Sequence, residues 1–175
     1  ELHKALTLIE GNLTGRDRDP GLRVLLAKTL KNIGDELTNS GKYAEALPIF
    51  QRAMGVRREL MNEFPEDRDA RIAIARLYLS LGRLAEDHSR HDEAQKNYTA
   101  SVEIREQIHR RGGDRQSLRD LAIGLESRGW HILQHGQPAN PAAAEADLAQ
   151  AMELLERRAA DEAQGNASRD AVDLV

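Results

Sequence analysis

The chain of 175 residues has no cysteine, so it can form neither a disulfide nor a thiolate metal site. Aromatic residues make up 3% of it. Val and Ile are scarce beside Ala and Leu, which disfavours sheet, because sheet surfaces are built from β-branched and aromatic side chains. No apolar run approaches the roughly 18 residues of a membrane-spanning helix, which argues against membrane insertion. The first residues show no charged-then-apolar secretion signal. A clear basic excess is also missing: 25 Lys and Arg face 29 Asp and Glu, a net charge of -4. A general nucleic-acid surface needs that excess, so nucleic acid is not expected as a partner. What remains is Ala, Leu, Glu, Arg and Gln, all good helix formers.

The chain repeats itself. Gly41-Lys42-Tyr43-Ala44-Glu45-Ala46 is echoed by Ser89-Arg90-His91-Asp92-Glu93-Ala94, 48 residues on. At the same offset Ile33 meets Leu81, Gly34 meets Gly82, Phe50 meets Tyr98 and Ala53 meets Ser101. A third copy follows, with Gly129 47 residues after Gly82 and Ala144 50 residues after Ala94. The extra three residues are assigned to a turn over Gly136–Pro141, rich in Pro and Asn. Each copy reads as two helices. Val24, Ala27, Leu30, Ile33 (or Gly34) and Leu37 recur at helical spacing, and Gly41 ends the segment. Ala46, Phe50, Ala53, Val56 (or Arg57) and Leu60 do the same before Phe64-Pro65. Pro48 is placed near the start of that second helix, with a slight kink allowed.

Gly34, Gly82 and Gly129 fall inside these helices, where glycine costs about 1 kcal/mol relative to alanine. A cost repeated three times implies a shared reason, and close approach of two helix backbones is the one expected, with Ala46, Ala94 and Ala144 opposite. Both ends read as incomplete repeats. Leu2, Ala5 and Leu6 sit 48 residues before Phe50, Ala53 and Met54, and Arg169-Asp170-Ala171 lies 50 after Arg119-Asp120-Leu121. The expected layout is a single domain over 1–175: the end of a preceding repeat over 1–16, three repeats over 19–66, 67–114 and 115–163, and the start of a further repeat or a disordered tail over 164–175.

These residues resemble the tetratricopeptide repeat, whose signature is W-x2-L-G-x2-Y, then A-x3-F, then P. The first copy matches as Leu30-x2-Ile33-Gly34-x2-Leu37, Ala46-x3-Phe50 and Pro65, the second as Tyr78-x2-Leu81-Gly82-x2-Ala85 and Ala94-x3-Tyr98. The third, Leu125-x2-Arg128-Gly129-x2-Ile132 with Ala144-x3-Leu148, departs at Arg128, where an apolar residue belongs. The period of about 48 exceeds the usual 34 of the family, and the surplus is assigned to longer helices. The resemblance implies an all-α fold, a right-handed α-solenoid of antiparallel helix pairs forming a TPR-like superhelix. A looser likeness links Arg57-Arg58-Glu59-Leu60, Ile104-Arg105-Glu106 and Leu121-Ala122-Ile123 to repeat tails of large bacterial signalling proteins, some of which carry a Ser/Thr kinase domain.

In such arrays the first helix of each pair lines a concave face. The resemblance places Lys28, Lys31, Asp35, Thr38 and Asn39 there, then Arg76, Leu79, Arg83, Glu86 and Asp87, then Ile123, Glu126, Trp130, Leu133 and Gln134. That face is expected to take a protein or peptide. Trp130 has two readings: an interface anchor, or a filler for the gap left by Arg128. A partner's carboxylate terminus, which some family members clamp with Lys and Asn, is disfavoured because Asp35 stands where Asn is needed. His131 and His135 are four apart, and His88 and His91 flank a turn, yet neither pair has a third ligand at a compatible spacing, so no metal is expected. The pairs Arg57-Arg58, Arg110-Arg111 and Arg157-Arg158 suit the negative ends of second helices. No phosphate loop, nucleophile elbow or HExxH is present, and neither catalysis nor a cofactor is expected.

The expected function is therefore a non-catalytic, cytoplasmic protein-binding module or scaffold within a larger bacterial signalling or regulatory protein. The alternatives are a self-assembly or spacer array, with association through incomplete end repeats, and a regulatory segment attached to a Ser/Thr kinase.

Overall fold

The computed structural model describes residues 2–13, 19–136 and 140–172, and the side chains of 4–13, 19–136 and 140–163. Among the described residues there are seven helices and no strand. They are α1 (Leu2–Leu13), α2 (Pro20–Asn39), α3 (Tyr43–Glu63), α4 (Arg68–Asp87), α5 (His91–Arg110), α6 (Arg115–His135) and α7 (Pro141–Val172). The fold class is the expected one: all-α, of consecutive packed helix pairs, as in α-solenoids. The chain divides inside α5 into two compact units, Glu1–Ser101 and Val102–Val175.

Three aspartates open the first helices. Asp19 accepts from the Leu22 amide, Asp67 from those of Asp69 and Ala70, and Asp114 from that of Ser117. Each satisfies an amide that the helix itself leaves unpaired, at a typical stabilisation of about 1 kcal/mol. Sequence reasoning passed over these caps, although 19, 67 and 114 keep the repeat offset. Asn140 does the same for α7 through the Ala143 amide. The expected turn over 136–141 lies partly outside the described residues.

The ends of α2 and α4 close in the same way. The Lys42 amide bonds the Leu37 carbonyl and the Gly41 amide that of Thr38; Arg90 bonds Ala85 and Ser89 bonds Glu86. This is the Schellman closure, which needs a left-handed residue after the last turn. Gly41 supplies it at φ +71°, and Ser89 supplies it at φ +57° without being glycine.

Within the first unit, contacts pair the start of one helix with the end of the next. Arg23 of α2 bonds Glu59 and Glu63 late in α3, while Gly34 late in α2 meets Phe50 early in α3. Ser101 of α5 donates to the Ala75 carbonyl of α4, and Tyr98 donates to Glu86 at 2.8 Å. Both pairs are therefore antiparallel. In the second unit His109 faces Ser117, Arg105 donates to the Asp120 carbonyl, and Val102 meets Gly124, so α5 and α6 are antiparallel too. The core there joins Val102, Leu118, Leu121, Ala122, Leu125, Ala151 and Leu154.

The glycines have a more specific reason than backbone contact. A Cβ on Gly34 would stand 2.6 Å from the Phe50 ring, and one on Gly82 would stand 2.6 Å from the Tyr98 ring. Each glycine is the seat of the aromatic side chain sixteen residues on. Burying such a ring stabilises by about 1.5–3 kcal/mol, which outweighs the glycine's helix cost. Burial, together with the Glu86 carboxylate, pushes the Tyr98 phenol above its ordinary range. Only at Gly129 does the expected backbone approach appear: a Cβ there would stand 3.2 Å from the Ala144 carbonyl oxygen and 3.0 Å from Leu148 Cγ. Ala46, Ala94 and Ala144 are all buried, and of the three Ala144 meets its glycine, Gly129, through its carbonyl oxygen.

Pro48 is the sixth residue of α3. Helix α7 runs unbroken through 164–172.

Candidate interaction faces

The expected first-helix residues are exposed or half-buried, except for one that is buried. In the first unit Lys28, Asn39, Arg76, Arg83 and Asp87 are exposed, and Lys31 and Asp35 are half-buried. Leu79 is buried, at 8% exposure. The buried arc of α4 is broad, taking in Ile74, Ala75, Leu77, Leu79 and Ser80, because the helix packs against both α2 and α3. An apolar side chain at the edge of that arc is drawn inward. Lys31 and Asp35 form an ion pair along α2, so Asp35 neutralises the cation nearest to it. Thr38 turns its hydroxyl back to the Gly34 carbonyl, and Glu86 accepts from Tyr98, so both are engaged within the fold.

Val24 and Leu25 widen this face with apolar surface that the sequence reading placed in the core or left out. Val24 lies four residues before Lys28, in the row that runs on to Lys31 and Asp35. The signal was available in that spacing.

In the second unit Glu126, Trp130, Leu133 and Gln134 lie exposed on α6, with Ile123 half-buried. Trp130 is 48% exposed and Leu133 49%. The gap-filling reading of Trp130 does not hold in this structure, because Arg128 leaves no gap. Its Nε and Nη2 each donate to Asp147 of α7 at 2.7 Å, a bidentate pair with little access to water. The Asp147 carboxylate holds the guanidinium protonated beyond its ordinary range. Trp130 and Leu133 are three residues apart, so they share one face.

His131 is buried and its ring lies 5.5 Å from that of His135. Among the described residues no group of three or more His, Cys, Asp or Glu side chains could hold a metal ion. His88 bonds the Leu84 carbonyl and its ring meets that of Tyr43 at 4.5 Å and a tilt of 43°, and Arg90 lies over the same Tyr43 ring. That cluster ties the turn after α4 to the start of α3. The arginine pairs do not act alike: Arg57 is buried and donates to the Val24 carbonyl, with burial lowering its basicity, whereas Arg58, Arg110, Arg111 and Arg157 are exposed.

Two family models, each described as Tetratricopeptide repeat, match the chain over residues 37–86 and 75–108. Over residues 37–108 the chain is similar to tetratricopeptide repeats. No curated protein matches the chain. The tetratricopeptide matches run from the end of α2 into α5 and stop short of α6 and α7. Tetratricopeptide repeats generally mediate protein–protein interaction and scaffolding, and their helical frame is typically non-catalytic. No described helix is long and apolar enough to cross a membrane.

Proposed function

We propose that the chain is a non-catalytic protein- or peptide-binding module that engages its partner through the first-helix face of each unit. The observation that carries this is the exposure of Trp130 and Leu133 side by side on α6. Leaving two large apolar side chains half in water forfeits burial that the core could have gained, and exposed apolar patches of this kind mark interaction sites. Tryptophan also gives much contact area for few rotatable bonds. In the first unit the matching face is cationic and apolar together: Val24, Leu25 and Lys28 on α2, Arg76 and Arg83 on α4. The repeat boundaries at 19–66, 67–114 and 115–163, and a setting in a larger bacterial signalling or regulatory protein in the cytoplasm, belong to the same proposal. Attachment to a Ser/Thr kinase is its narrower form, supported by the likeness of the runs at 57–60, 104–106 and 121–123 to repeat tails of such proteins.

The test uses Trp130 as its own reporter, since it is the chain's one tryptophan. Random 12-residue peptides displayed on phage are selected on the chain. Bound peptides are expected to shift Trp130 emission, and Trp130→Ala or the pair Arg76→Glu/Arg83→Glu to weaken them by about tenfold. Equal binding to the parent and to both variants would show that the face is misassigned.

A further inference from the structure

Six residues of α6 share one stripe of the second unit. At about 100° per residue, Arg115, Arg119, Ile123, Glu126, Trp130 and Leu133 fall within an arc of about 80°. All are exposed except the half-buried Ile123. On α2 the matched residues are Pro20, Val24, Lys28, Lys31, Asp35 and Thr38, 95 residues earlier. Helix α4 packs beside α2, yet each of these six stays exposed or half-buried. A following first helix therefore leaves this stripe open to water and to a ligand.

The two ends of the stripe differ in chemistry. Trp130 and Leu133 form an apolar end, and Arg115 and Arg119 form a cationic end in the first two turns of α6. The helix dipole is positive there and favours a carboxylate over a cation. Among the described residues neither arginine has an ion-pair or hydrogen-bond partner, and nor has Glu126. The surrounding segment 105–119 holds five arginines and two acidic residues, on a chain whose net charge is -4. The cations are thus left unbalanced at a place where the helix itself would prefer an anion. We propose that the α6 stripe takes an extended acidic peptide, with two Asp or Glu side chains on Arg115 and Arg119 and a large apolar residue on Trp130 and Leu133. The inference rests on the reading of α6 as a partner-binding face, and adds the partner's chemistry and register. Arg119 and Trp130 are eleven residues apart, about 16 Å along the axis. About five residues of extended chain therefore separate the acidic pair from its apolar anchor. Glu126 stands between the two ends and repels an acid placed there, which fixes the register. An extended chain suits a stripe on a single helix, whereas a docked helix needs a groove.

Three dye-labelled peptides serve as probes. The first carries Glu-Glu, five neutral polar residues and Phe-Leu. The second has Lys-Lys in place of Glu-Glu, and the third has the Glu-Glu of the first moved next to Phe-Leu. Fluorescence anisotropy should show the first binding at least about tenfold tighter than the others, with the margin shrinking as salt is raised. Arg115→Glu/Arg119→Glu, at exposed sites where a carboxylate suits the helix start, should weaken the first peptide about tenfold and strengthen the second. Trp130→Ala should weaken the first by a similar factor. The proposal is overturned, and the binding face survives, if the three peptides bind alike with equal loss on Trp130→Ala, or if none binds while phage-selected peptides do. If neither these probes nor phage-selected peptides bind, both readings fall. Displacement of the first peptide by a single-stranded oligonucleotide of the same charge, at equal concentration, also overturns the proposal, because a phosphate backbone is then the ligand.

Discussion

In α2–α3 and α4–α5 a glycine on one helix receives an aromatic ring from the other: Gly34 takes Phe50 and Gly82 takes Tyr98. In α6–α7 the matching glycine, Gly129, meets Leu148 and the α7 backbone. One turn-face away, Ile33 and Leu81 give way to Arg128, and Ile49 and Asn97 to Asp147. The third pair thus trades an aromatic seat for a bidentate ion pair. The difference teaches that the repeat conserves the helix-to-helix register while the chemistry holding it is exchangeable. A buried ion pair is also a weaker guarantee of stability than a packed ring, because desolvating two charges offsets much of their attraction.

The comparison can be broken most severely at Arg128. Arg128→Leu leaves the nearly buried Asp147 carboxylate without its partner, and denaturation followed by circular dichroism should show a loss of about 3 kcal/mol. The double change Arg128→Leu/Asp147→Ile puts apolar side chains at both positions, as Ile33 and Ile49 are at the matched places of the first pair, and should recover most of that loss. If the double variant is as unstable as the single, the two pairs do not solve one packing problem.

A smaller effect separates the glycines. Gly82→Ala drives a Cβ into the Tyr98 ring and should cost about 1–3 kcal/mol, even after alanine's better helix propensity is counted. Gly129→Ala meets contacts several tenths of an ångström longer, so its cost and gain nearly cancel, to within about 1 kcal/mol. Equal losses at the two sites would mean that the aromatic seat has no special role.

The smallest expected change distinguishes the first pair from the second at their closing turns. Ser89 holds the left-handed conformation that Gly41 holds at the matched place. Ser89→Gly should raise stability by up to about 1 kcal/mol and Gly41→Ser should lower it by a similar amount. A stabilising Gly41→Ser would contradict the closure assigned to both turns.

Much of this was legible in the sequence, because local rules write it there. Helical spacing, Gly41, the proline after α3 and the 48-residue echo announce paired helices, and the matched glycines announce an unusual contact. The three capping aspartates were equally legible and were passed over. The groove residues were legible only as a register. A register says where a side chain points on an ideal helix, not how wide the buried arc is, which is why Leu79 turned out buried and Val24 and Leu25 exposed.

By itself the sequence determined the helices, their pairing and the likeness of residues 37–108 to tetratricopeptide repeats, since propensity, capping and periodicity act over a few residues and need no partner from afar. Tertiary structure alone decided that Arg128 closes on Asp147, that rings rather than backbones occupy Gly34 and Gly82, and that Trp130, Met152 and Leu155 stay in water. Those outcomes depend on which surfaces of separate helices meet, and burial is a property of the meeting, not of either strip of sequence.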